Sequence, residues 1–161
     1  MKNDHVASKS RQFENIEHDM STFAGLMFSL ARGMLVEEGC LVPMIHFFKM
    51  DGHSELVGVP NLSTEQDKDN LAKYLRDKLS SGIYGGALLL FDAVRYALLP
   101  LKKEKDALVV YAMLPGETKA YILAYEKIGD SYKFEEKVAA NDLVSGRFVD
   151  LFASSKSGTV H

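Results

Sequence analysis

"GGALLLFDAVRYALLP", residues 85–100, decides the fold. Its apolar run suits either a buried central strand or a helix, because periodicity alone does not separate the two. The paired glycines Gly85 and Gly86 weaken helix initiation, so the run reads as a strand from Ala87 to about Val94. Downstream, Ala107–Leu114, Lys119–Glu126 and Tyr132–Val138 read as a meander, with turns marked by Pro115-Gly116 and Gly129-Asp130. Asn141 is placed to cap a last short helix carrying Val144, Phe148 and Leu151.

Upstream, Ser63–Ser81 is the plainest helix. Ser63 and Gln66 fit a capping box. Leu71, Leu75 and Leu79 form its buried stripe, Asp69 and Lys73 an i,i+4 pair on the wet side, and Gly82 a stop. Before it, "CLVPMIHFFKMDGHSELVGVP" reads as a hairpin closed by Asp51-Gly52 as a two-residue turn. That turn sets Met50 opposite His53, Phe48 opposite Glu55, His46 opposite Val57 and Met44 opposite Val59.

The chain opens on a polar stretch, Met1–Ser10, expected to be loose, as is "SSKSGTVH" at the other end. A helix over Gln12–Glu37 follows. Phe13, Met20, Met27 and Met34 recur at heptad spacing, with Ile16, Phe23 and Leu30 between them. Charged flanks of a coiled coil are present only in the first heptad, and from Phe23 the helix is apolar nearly all round. The stripe therefore reads as core. Beside it Ser21, Gly25, Ser29 and Gly33 form a ridge of small residues, which lets another backbone come close. That ridge is the candidate contact with a second chain.

The order α-ββ-α-β-βββ-α is that of an α+β domain: a mostly antiparallel sheet, hairpin plus meander, packed by a long N-terminal helix, a second helix and a short C-terminal one. It forms a single domain over residues 12–153, and no internal repeat or linker divides it.

Composition excludes several functions. With 161 residues, 47% of them apolar and 25% charged, the chain has the make-up of a globular protein. A net charge of −3 provides no basic field for nucleic acid or an anionic membrane. The densest basic cluster, Lys102, Lys103 and Lys105, reads as a solvated loop tip. The longest apolar span, Phe23–Val36, contains Arg32 and is shorter than the ~20 residues a membrane crossing needs. One cysteine, Cys40, forms no internal disulfide and no cysteine zinc cage, and a reducing, cytoplasmic location is expected. Cys40 lies beside Glu37 and Glu38, the wrong electrostatic setting for a reactive thiolate, and reads as a small buried filler.

Motifs for chemistry are few. There is no P-loop, G-x-G-x-x-G, G-x-S-x-G or H-E-x-x-H. "SGIYGG" follows a helix and precedes a strand, the wrong order for a phosphate cradle. His46 and His53 lie about 13 Å apart along the hairpin, too far for one metal ion; His46 reads as a core or edge histidine with one hydrogen bond, with Glu55 within diagonal reach. His5, His18 and His161 have no metal-ligand spacing. No metal or cofactor is expected. Asp92, Arg95 and Tyr96 follow the central apolar run, where a strand end holds polar groups rigidly. Together with His46 they are the candidate ligand-binding residues, the structural alternative being an ion pair or end cap. Tyr111, Tyr121, Tyr125 and Tyr132 lack the interleaved basic residues of a base-stacking surface and read as packing.

"EEGCLVPMIHFFKMDGHSELVGVP", "EQDKDNLAKYLRDKL", "ALLLFDAVRYAL" and "KDALVVYA", within residues 12–126, together resemble a group of small bacterial and phage α+β proteins with no assigned activity. In that group the central strand tends to end in Ser-Glu-Ala-Trp, whereas Phe91-Asp92-Ala93-Val94 keeps the acid and loses the tryptophan. The resemblance implies the α+β fold and transfers no catalytic residue. The expectation is a non-enzymatic binding or adaptor protein, a homo-oligomer acting through protein contacts. The alternatives are a small-molecule or nucleotide binder or hydrolase with a pocket at the central strand's end, and a phage- or plasmid-encoded inhibitor of a host protein.

Overall fold

The computed structural model describes residues 4–98, 106–144, 146–149 and 151–152, with the backbone alone for 4–19, 94 and 143. Helix α1 (Asp4–Glu38) leads into strands β1 (Met44–Lys49) and β2 (Ser54–Gly58), then helix α2 (Glu65–Leu79). Strand β3 (Tyr84–Asp92) passes directly into a single turn, α3 (Ala93–Tyr96). Strands β4 (Asp106–Leu114), β5 (Glu117–Ile128), β6 (Ser131–Phe134) and β7 (Val138–Ala139) complete one sheet. Its order is β2-β1-β3-β4-β5-β6, with β7 also on β5, and every pairing is antiparallel. The α+β architecture expected from the sequence is present.

The continuous apolar reading of residues 87–91 follows from position. Strands β3 and β4 lie at the centre and are buried on both faces. Successive side chains of β3 alternate between two cores. Leu88 and Leu90 join Met20, Ala24, Met27, Phe28, Ala31 and Leu35 of α1, while Ala87, Leu89 and Phe91 join Leu71, Ala72, Leu75 and Leu79 of α2. At Gly86 α1 seats so closely that a Cβ would come within 2.5 Å of the Met20 sulfur and 3.2 Å of the Met113 carbonyl oxygen.

Several boundaries differ from the sequence reading. Helix α1 begins at Asp4, inside the stretch expected to be loose. Strand β3 stops at Asp92 rather than Val94. The cap of α2 is Thr64, not Ser63, and its partner is Asp67, not Gln66: Asp67 N–H donates to Thr64 Oγ1 (3.0 Å), and Thr64 N–H to Asp67 Oδ2 (3.1 Å). Lys73 pairs with Asp77, and Asp69 with Arg147. The last short helix is two 3-10 turns, 141–143 and 146–148. Asn141 does not cap it; its Oδ1 accepts the Ala120 N–H of β5 at 2.9 Å. The lysines of 102–105 and the tail 154–161 lie outside the described residues.

The hairpin carries the most consequential difference. Its register is Met44↔Gly58, Ile45↔Val57, His46↔Leu56, Phe47↔Glu55 and Phe48↔Ser54, one residue away from a two-residue turn. Gly52 N–H donates to the Lys49 carbonyl, Lys49 N–H to the His53 carbonyl, and Gly52 takes φ +96°. This is a three-residue loop ending in a left-handed glycine bulge. A slip of one residue moves every β2 side chain to the other face. Glu55 therefore lies on the α2 side, away from His46.

Candidate functional site

The four candidate ligand residues do not form one site. His46 is half-buried on the α1 face, edge-on to Phe23 (5.1 Å) and stacked on Phe48 (4.5 Å), and burial lowers its pKa. It pairs with Leu88 of β3, four residues and about 13 Å from Asp92. His53 is in the turn, bonded to Asp51.

Asp92 closes β3 as a structural cap. Its Oδ1 accepts the Arg95 N–H of α3 at 3.1 Å, and its buried Oδ2 accepts the Tyr125 hydroxyl at 2.7 Å. Burial, then that carboxylate, push the Tyr125 phenol well above its ordinary value. Asp106 beside them is also raised, by burial and then by Asp92. The Arg95 guanidinium lies 5.8 Å over the Tyr96 ring. Tyr96 donates its hydroxyl to the Leu41 carbonyl at 3.1 Å, tying α3 to the segment that follows α1. Among the described residues no three His, Cys, Asp or Glu side chains converge as metal ligands.

Two surfaces remain. The first is the outer face of α1. At 100° per residue, Leu26, Leu30, Gly33, Ser29 and Val36 fall opposite the buried stripe. Leu26 is 55% exposed, Leu30 46% and Val36 62%. Arg32 is the only charged residue between Thr22 and Val36, and its guanidinium lies 4.8 Å over the Phe134 ring of β6. The small-residue ridge divides. Ser21 and Gly25 are half-buried beside Lys137, whose ammonium donates to the Ser21 carbonyl, while Ser29 and Gly33 are exposed. Of the heptad stripe, Met20 and Met27 are core, Phe23 and Met34 half-buried, and Leu30 points outward.

The second surface was not legible in the sequence. A groove of about 400 Å³ runs between α2 and the hairpin. Ile45, Val57, Val59 and Leu71 make its apolar lining, and Asn61, Asp67, Asn70 and Tyr74 supply polar groups. Beside it Lys78 donates to Glu55 Oε1 (3.1 Å) and the Tyr84 oxygen (3.3 Å), and Tyr84 donates to the same Glu55 oxygen (2.8 Å). The Lys78 ammonium also sits 5.0–5.6 Å from the Phe47, Tyr74 and Tyr84 rings. Hydrogen bonds from Tyr84 and then Lys78 hold Glu55 below the usual carboxylate range, and the bond to Glu55 raises Lys78. Only the corrected hairpin register brings Glu55 to this lysine. Compared with family models, curated proteins and solved structures, the chain matches none.

Proposed function

We propose that this is a non-enzymatic binding protein acting through protein–protein contacts, and that its first partner is a second copy of itself docked on the outer face of α1. The observation that supports this is the uncharged strip formed by Leu26, Ser29, Leu30, Gly33 and Val36. A two-fold axis sets one surface against its own copy, so a strip of one charge would repel itself and an uncharged one does not. Ser29 and Gly33 give room for a helix backbone to approach. Covering each half-exposed Leu or Val contributes roughly 1 kcal/mol, which accumulates over three such residues on each copy.

The test is light scattering across a concentration series. The expected species has twice the 17.9 kDa chain mass. The double variant Leu26→Glu/Leu30→Glu should run at the single-chain mass with its circular dichroism unchanged. A wild-type chain that stays at the single-chain mass at every concentration removes this reading.

A further inference from the structure

We infer that the open edge of β2, together with the groove beside α2, is a docking site for an extended peptide segment of another protein, one of alternating apolar residues with a basic residue at one end. This site is separate from the outer face of α1, which lies on the other side of the sheet, and does not depend on it.

The edge sets the conformation of the occupant. Val59 N–H donates to the Pro43 carbonyl and Lys49 N–H to the His53 carbonyl, which fixes the phase of the β1–β2 ladder. Bonded and non-bonded pairs alternate in an antiparallel ladder. Glu55 and Val57 therefore bond to β1, while Leu56 and Gly58 turn their N–H and C=O groups outward. The opposite margin differs: its edge strand β6 has only four residues and carries Lys133. Among the described residues no strand covers the β2 edge; Ser54-Glu55-Leu56-Val57-Gly58 has no proline or lysine, its one charge, Glu55, is held by Lys78 and Tyr84, and Leu56 is 57% exposed. A visiting strand would satisfy these main-chain groups, the chemistry of strand addition.

The groove sets the side chains. Val57 points to the α2 side, so every second residue of an added strand also points there, toward Ile45, Val59, Leu71 and Tyr74. Among the described residues Asp67 is the only charged one in the lining. Main-chain N–H bonds from Thr64 and Ser63 favour its ionised form. Among the described residues no lysine or arginine lines the groove to balance it; Lys78 and Lys49 are both drawn to Glu55. Charge complementarity therefore asks for a basic residue at the Asp67 end and disfavours an acidic one.

The probe is a displayed library of random octapeptides panned on the full-length chain, with synthetic copies of the enriched peptides measured by fluorescence anisotropy. Enrichment of alternating aliphatic sequences with Lys or Arg at one end is expected, as is slowed hydrogen exchange at the Leu56 and Gly58 amides on binding. Gly58→Pro removes an outward N–H without touching the β1 ladder and should weaken binding at least tenfold. Asn70→Trp, which fills the groove from the exposed side of α2, should do the same in a chain whose edge is intact. Asp67→Asn should abolish the preference for basic over acidic ends. No enrichment, acidic consensus sequences, or peptides that bind both Gly58→Pro and Asn70→Trp as tightly as wild type would each overturn the inference. So would concentration-dependent protection of Leu56 and Gly58 in the free protein, which would mean that a second copy takes the edge.

Discussion

The two long helices lie on opposite faces of one sheet and are built on different plans. Helix α2 is consistent at every level: Thr64 and Asp67 cap its start, acids occupy its first turn, and Arg76 and Lys78 occupy its last. That placement complements the helix dipole. One stripe is buried, and the outer side is bound up in Lys73–Asp77, Gln66–Asn70 and the contacts of Arg147 with Glu65 and Asp69. Helix α1 has no basic residue in its last turn and ends on Glu37 and Glu38, against the dipole. Its stability comes from burial of one face, and the opposite face holds Leu26, Leu30 and Val36 in solvent. A helix completed on one side by salt bridges needs nothing further; a helix left apolar on its outside is suited to a second contact.

Leucine truncation breaks this comparison most strongly. Leu75 is fully buried under α2, so Leu75→Ala should cost about 2–5 kcal/mol in urea unfolding. Leu30→Ala should change single-chain stability by less than about 0.5 kcal/mol and act instead on the mass seen by light scattering. Equal losses at the two sites would mean that the outer face of α1 is already covered within the chain.

The next effect tests how α1 is seated. Gly86→Ala forces its Cβ onto Met20 and the Met113 carbonyl, an overpacking worth about 1–3 kcal/mol. Met20→Ala should cost less in the Gly86→Ala background than alone, because the sulfur that blocks the new methyl is gone. Additive losses in a double-mutant cycle would place the strain elsewhere.

Removing the cap sharpens the contrast from the α2 side. Thr64→Ala should cost about 1 kcal/mol, and hydrogen exchange should localise the loss to the first turn of α2, with α1 unaffected.

The smallest effect is the response to acid. Glu55, Glu65 and Asp67, on the α2 side, titrate below their ordinary values because of bonds from Tyr84 and Lys78, from Arg147 and Lys68, and from the Thr64 N–H respectively. Groups of this kind contribute stability above the ordinary carboxylate range, near pH 4, and lose it as pH falls through their lowered values. Asp106, on the α1 side, is shifted the other way, so its ionised form costs stability above that range. Asp106→Asn should raise the melting temperature near neutral pH, and the gain should shrink as pH falls through the raised Asp106 value and be largely gone by about pH 4. A gain that grows on acidification would reverse the sign assigned to Asp106.

Much of the architecture was legible in local chemistry. The leucine spacing of α2 and the meander turns act within a few residues and read the same in isolation as in the folded chain, whereas Gly85 and Gly86, expected ahead of the central strand, lie within β3. The register of the hairpin does not. Two- and three-residue loops can both use Asp51-Gly52, and burial of alternate residues normally chooses between them. Strand β1 cannot choose in this way, because Met44, Ile45, Phe47 and Phe48 are all buried and both of its faces are apolar. Contacts of β2 itself distinguish the two: Val57 packs on the α2-side core and Glu55 meets Lys78 and Tyr84. That one-residue difference takes Glu55 from His46 to Lys78. In the same way, sequence alone made α1 apolar all round, but only its seating on β3 and β4 decided which side was left outside. Local spacing determines what an element is; which neighbour lies across from it depends on contacts between residues distant in the chain.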